Sequence, residues 1–163
     1  MNTTHATAPM HSPSVRMPPV LLGGLAVGTF DLIFACTWWA IAAHVPPIRI
    51  FQSIGAGWYG DASFEGGMRT AAVGVLSHYV IATCMVLAFA LIAARKPPLM
   101  RNPWRWGTFY GALLYIAMNY VIVPLSAASP GPKKPAWMIA SIVVHVLIGI
   151  ACAFIARRAV RNQ

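Results

Sequence analysis

The sequence predicts an all-α membrane protein, a bundle of four transmembrane helices that run up-down-up-down with both termini in the cytoplasm. Hydrophobic residues make up 58% of the 163 residues and charged residues only 9%, against roughly a quarter charged in a soluble domain. Four apolar stretches each reach or approach the ~20 residues that a helix needs to cross a bilayer. Residues 20–158 are therefore expected to form one transmembrane domain.

The predicted helices follow one another along the chain, with short polar segments between most of them. They cover approximately residues 20–44, 71–94, 106–124 and 136–156. Residues 1–19 contain four prolines and no periodic apolar spacing, which predicts a disordered N-terminal tail. The first apolar stretch is uninterrupted for too long to be a signal peptide, so we expect a retained helix. Residues 159–163 are predicted to be a short basic tail.

Basic residues are unevenly distributed between the two sides of this bundle. With the N-terminus inside, eight lie on the inner side and four on the outer side, as the positive-inside bias requires. The net charge is +9, but these residues bracket helix ends and do not form one stripe with interleaved aromatic residues. We therefore expect a lipid bilayer and no nucleic acid as the partner, and a homo-oligomer or membrane partner stays open.

Each apolar stretch contains one ionisable or amide side chain. These are Asp31, His78, Asn119 and His145, and each shares a helix face with small residues three or four positions away. Polar side chains are costly in hydrocarbon and usually face the bundle interior. At about 1.5 Å per residue, the last three form a layer near the outer side, with Asp31 about one turn deeper. We predict that all four meet in an intramembrane polar cluster.

Three interpretations of this cluster stay open. In the first, Asp31 and the two histidines exchange protons, without a cofactor, in proton-linked transport or pH sensing. In the second, His78 and His145 ligate a b-type haem, because helices two and four are diagonally opposed and place them at similar depth. In the third, the polar side chains join the helices of a structural or partner-binding subunit, each hydrogen bond contributing about 0.6 kcal/mol.

The segment 45–69, between the first two predicted helices, is long for a simple connection. Apolar residues at 50, 51, 54 and 58 follow a helical period, which predicts a short interfacial or re-entrant helix. An ordinary loop with Trp and Tyr in the aromatic belt is the alternative. If a substrate gate exists in this segment, its candidates are Arg49, Gln52 and Ser53.

About half of the chain, from the second helix onward, carries a recognisable set of residues. These are His78, Gly107, Gly111, Ala112, Leu113, Pro124, Leu125 and His145. In them the chain resembles the YagU-like bacterial inner-membrane proteins. The resemblance implies a small multi-pass protein of the bacterial inner membrane and no particular substrate. That family has a histidine where this chain has Asn119, so the resemblance implies no shared haem or metal chemistry.

The sequence contains no motif typical of an enzyme. Its only acidic residues are Asp31, Asp61 and Glu65, and it has no phosphate-binding glycine loop, nucleophile elbow or H-E-x-x-H. A closed metal site would also lack its usual carboxylate and cysteine ligands. We therefore expect neither enzymatic activity nor a bound metal. Because four helices leave little room for a channel, we expect a transport role to require a dimer or larger assembly.

Overall fold

A computed structural model of the chain describes residues 14–129, 131 and 134–161, and most of them are helical. The helices are α1 (Met17–Ala43), α2 (Pro47–Tyr59), α3 (Gly67–Arg95), α4 (Pro98–Arg101), α5 (Pro103–Ala117), α6 (Val123–Leu125) and α7 (Pro135–Ala159). A 3₁₀ helix follows α2 at Gly60–Phe64, and a π-helix at Met118–Ile122 joins α5 to α6. Two short strands, β1 (Ser14–Val15) and β2 (Val160–Arg161), complete the described structure.

Four of the helical segments are long and apolar enough to cross a membrane. They are Met17–Ala43, Gly67–Arg95, Pro103–Leu125 and Pro135–Ala159. The prediction of an all-α fold with four membrane-length helices is therefore confirmed. Each helix begins slightly earlier than predicted, and three of them carry proline in the first turn. Proline is favourable there because the first N–H groups of a helix have no partner within it.

The chain ends differ from the predicted tails. Ser14–Val15 pairs antiparallel with Val160–Arg161, and the Arg16 N–H donates to the Ala159 carbonyl at 2.9 Å. Residues 14–19 therefore do not form the disordered tail predicted over 1–19, because they belong to this strand pair and to the first turn of α1. Residues 1–13 lie outside the described residues. In the segment 159–163, predicted to be a basic tail, residue 159 ends α7 and residues 160–161 form β2. Residues 162–163 also lie outside the described residues.

The hydrophobic core fills one half of the bundle, which we call the closed half. It joins the first half of α1, the second half of α3, the middle of α5 and mainly the second half of α7. Many of its fully buried residues are small, among them Ala90, Ala93, Ala153 and Ala156. Small side chains allow membrane helices to approach closely and to gain van der Waals contact along their backbones.

Glycine residues allow a close helix approach between α5 and α7. Gly107 and Gly111, one helical turn apart, face Gly149. A Cβ atom at Gly111 would overlap the carbonyl of His145, and one at Gly149 would overlap the backbone of both glycines on α5. Such an approach requires positions without side chains. This contact therefore also positions the part of α7 that carries His145.

The helix predicted within segment 45–69 is present as α2, which lies against the first half of α3. Gly74 of α3 contacts the Phe51 carbonyl of α2, and Gly55 of α2 contacts the Thr70 carbonyl of α3. The two backbones therefore touch without intervening side chains. α2 thereby covers the half of the bundle that the hydrophobic core leaves open.

The substitution Gly111→Val should lower the free energy of unfolding by about 1–3 kcal/mol, the usual range for overpacking. The added side chain has to push α5 away from the His145 carbonyl. Thermal or denaturant unfolding of the purified protein in detergent measures this effect. Gly57→Ala is the control, since a Cβ atom there meets only Ser126, at 3.8 Å. Equal stability of Gly111→Val and the parent would contradict the role given to this contact.

Candidate functional site

In the half of the bundle under α2, the helices surround a cavity of about 1120 Å³. Its wall is formed by α1, α2, α3, α7 and the segment from the π-helix through α6. Most of the lining side chains are apolar. The four polar residues singled out in the sequence, Asp31, His78, Asn119 and His145, all lie on this wall. The fold thus brings them to one site.

Asp31 on α1 lies beside His78 on α3. The distance from Asp31 Oδ2 to His78 Nε2 is 3.9 Å, which is too long for a hydrogen bond. The same Nε2 atom lies 2.9 Å from the Gly28 carbonyl oxygen. Because a carbonyl oxygen can only accept, Nε2 carries a hydrogen and donates it. His78 therefore joins α3 to α1 through the backbone of α1 and leaves the Asp31 carboxylate without this donor.

Asn119 and His145 form hydrogen bonds within their own helical segments. Asn119 Nδ2 donates to the Tyr115 carbonyl at 3.0 Å, and His145 Nδ1 donates to the Ser141 carbonyl at 2.8 Å. The Tyr115 ring also meets the His145 ring edge-on, with centroids 5.6 Å apart. These bonds orient the side chains but do not join helices. Of the four polar residues, His78 alone forms an interhelical hydrogen bond within the described part of the chain.

The Asp31 carboxylate has no hydrogen-bond donor among residues 14–129, 131 and 134–161. Its side chain is 28% exposed, and it lines the cavity. A carboxylate between apolar helices costs roughly 2.5–3.5 kcal/mol on insertion scales and requires a proton, a cation or water. The cavity gives all three a route to Asp31. The Asp31 carboxylate is therefore placed where a proton, a cation or water can replace one another as its partner.

The π-helix is a feature that sequence reasoning missed. The Val123 N–H bonds to the Met118 carbonyl, five residues earlier, so this turn is wider than an α-helical turn. Pro124 follows directly and has no N–H to continue an α-helical ladder. π-turns occur frequently at functional sites, and this one contains Asn119. The proline near the end of segment 106–124 is the sequence signal that could have indicated it.

The three candidate gate residues occupy different positions. Arg49 and Ser53 line the cavity, whereas Gln52 is buried and lies outside its wall. Gln52 Nε2 donates to the Gly67 carbonyl at 3.1 Å and so ties α2 to the start of α3. Arg49 Nη1 donates to the Phe64 carbonyl at 2.8 Å. A gate at this end of the cavity would therefore involve Arg49 and Ser53, with Gln52 holding α2 in place.

Aromatic side chains form much of the wall near α2, although sequence reasoning did not assign them to the site. They are Phe34, Trp39, Trp58, Phe64 and Trp137. The ring of Trp137 stacks on Phe34 with centroids 5.8 Å apart and contacts Trp39 at 5.2 Å. Phe34 follows Asp31 by three residues, which is helical spacing on one face. That spacing is the sequence signal that could have assigned Phe34 to the same site as Asp31.

Comparison of the chain with protein-family models, with curated proteins and with solved structures gives no match. The resemblance to YagU-like proteins therefore stays a prediction. Among the residues that the structure describes, no three His, Cys, Asp or Glu side chains are grouped so that they could hold a metal ion.

The substitution His78→Ala should lower the free energy of unfolding by about 0.6–1.7 kcal/mol, the range measured for interhelical hydrogen bonds in membranes. It removes the bond between α3 and the Gly28 carbonyl of α1. Asn119→Ala is the matched comparison, because it removes a bond within one helix and should destabilise less. Unfolding in detergent micelles measures both variants. A greater loss in Asn119→Ala would contradict this assignment of the interhelical bond.

Proposed function

We propose that the protein is a multi-pass protein of the bacterial inner membrane that links protonation of Asp31 to transport or pH sensing through the cavity. The position of the Asp31 carboxylate carries this proposal. It lies 3.9 Å from His78, lines a largely apolar cavity and accepts no hydrogen bond in the described structure. His78 and His145 line the same cavity, and an imidazole can take up and release a proton, so both are suitable partners for proton exchange with Asp31.

The proposal includes an up-down-up-down path across the bilayer with both termini in the cytoplasm. The closed half supports it, since the first half of α1 meets the second half of α3 and the middle of α5 meets the second half of α7. The pairing of Ser14–Val15 with Val160–Arg161 holds the two ends of the transmembrane domain together. The excess of basic residues on that side supports a cytoplasmic location for it, which would put the cavity toward the outer side under α2.

Transport through this site requires a change in the bundle. The closed half contains the hydrophobic core, so a solute in the cavity has no path to the cytoplasmic side in this arrangement. We propose that the helices move relative to one another, or that a second copy of the chain supplies the remaining path. For pH sensing, protonation of Asp31 would need only to change how α1 and α3 meet.

Haem ligation by His78 and His145 agrees less well with the geometry. His145 Nδ1 donates to a backbone carbonyl, which leaves Nε2 free as a haem ligand requires. His78, however, uses its Nε2 atom to donate to the Gly28 carbonyl. Ligation through this atom would break the hydrogen bond between α3 and α1. The residues present therefore favour proton exchange over haem binding.

Asp31→Asn should abolish proton uptake into proteoliposomes under an imposed gradient, because the amide keeps the shape of the side chain but cannot titrate. An entrapped pH-sensitive dye measures the uptake, and expression and thermal stability should change little. Asp61→Asn is the control, since Asp61 lies outside the cavity wall and accepts a hydrogen bond from Ser129. Uptake that persists in Asp31→Asn would contradict the proposal, and uptake that is absent in the parent protein would contradict its transport form.

A further inference from the structure

The wall of the cavity combines one carboxylate with a group of aromatic rings. Asp31 supplies the carboxylate, and the rings belong to Phe34, Trp39, Trp58, Phe64 and Trp137. Aromatic faces attract organic cations within about 6 Å of the ring centroid, and this attraction grows when water is excluded. A cavity that contains both an acidic group and aromatic faces therefore offers the two kinds of group that recognise an organic cation.

Two of these rings already contact cationic side chains of this chain. The Lys134 ammonium lies 5.6 Å from the Trp39 ring centroid, and the Arg49 guanidinium lies 5.8 Å from the Phe64 centroid. The wall thus presents ring faces in a geometry that accepts positive charge. The ring of Trp137 stacks on Phe34 and also contacts Trp39, so the rings on α1 and α7 form one connected group.

The charge in this cavity that a bound cation can neutralise is that of Asp31. Asp31 is the only acidic residue on the wall, and its carboxylate accepts no hydrogen bond from the described residues. The other titratable or charged groups on the wall are Arg49 on α2, His78 on α3 and His145 on α7, while the π-helix contributes the neutral amide of Asn119. Arg49 is engaged by the Phe64 carbonyl. Once Asp31 has released its proton, a bound cation can replace that proton as the partner of the negative charge.

The rim of the cavity indicates how such a solute enters. Leu76 and Val80 on α3, together with Ile122 and Leu125 across the opening, line the cavity and are 67%, 54%, 47% and 83% exposed. The opening therefore lies in the side of the bundle, between α3 and the π-helix with α6. Its apolar rim would face lipid in a membrane, so it favours a solute that dissolves in the bilayer. The volume is sufficient for a drug-sized molecule.

From these observations we propose that the cavity binds lipophilic organic cations, which enter from the bilayer and displace the proton of Asp31. This inference rests on the proposed function, because it requires Asp31 to exchange its proton with the cavity, and it adds the class of solute. One proton leaves the carboxyl group for each cation that it neutralises. No covalent bond to the solute forms.

Tetraphenylphosphonium is a suitable probe, with tetraphenylborate as its anion of matched shape. The full chain in nanodiscs should bind the cation saturably in calorimetric titration, after subtraction of empty nanodiscs, and should not bind the anion. Affinity should fall about tenfold per pH unit on the acidic side of the Asp31 titration, since proton and cation compete for one site. Titrations in buffers of different ionisation enthalpy should show the release of one proton.

Variants separate this inference from its alternatives. Asp31→Asn should lose tetraphenylphosphonium binding, Trp137→Leu should weaken it several-fold, and Asp61→Asn should keep it. Equal binding of the cation and the anion, or cation binding that survives Asp31→Asn, would overturn the inference. If Asp31-dependent proton uptake is present but tetraphenylphosphonium does not bind, the solute class is wrong and the proposed function stands. If cation binding depends on Asp31 but no proton moves, the proton linkage is wrong.

Discussion

The organisation of this bundle depends on how closely its helix backbones can approach. Where Gly107, Gly111 and Gly149 meet, α5 and α7 touch without intervening side chains. In the rest of the closed half, alanine residues in the core also allow the helices to pack closely. Toward the end of α1 and the start of α7, large rings such as Phe34 and Trp137 take the place of the small residues and line the cavity. Large side chains hold helix axes farther apart than small ones do, so α1 and α7 leave room for the cavity there. A single set of helices thus forms both a closed half and a cavity.

Asp31 lies where these two halves meet. One turn earlier on α1, Gly28 allows Tyr79 and Ala82 of α3 to approach, and its carbonyl accepts the hydrogen bond from His78. Asp31 itself lines the cavity. A change of charge at this position therefore acts directly beside the contact between α1 and α3, because electrostatic interactions are strong where water is scarce. We therefore expect a change in the protonation of Asp31 to alter the packing of α1 against α3.

Hydropathy and helical spacing were sufficient to predict the four long helices, and they singled out the polar residues that the cavity brings together. They failed where a feature depends on a partner distant in sequence. The pairing of Ser14–Val15 with Val160–Arg161 has no local signal, and the role of Gln52 depends on the Gly67 carbonyl. The ring of Trp137 lines the cavity only because α1 places Phe34 and Trp39 against it; sequence alone assigns such residues to the membrane interface.

The central claim, that Asp31 gains and loses a proton inside the bundle, is tested most directly by infrared difference spectroscopy of the reconstituted protein between acidic and alkaline buffers. The chain has three acidic side chains, so Asp61→Asn and Glu65→Gln can remove the other two contributions. A protonated-carboxyl C=O stretching band should then remain, vary with pH and disappear in Asp31→Asn. A band that is absent at every pH, or that does not change with pH, would contradict the account.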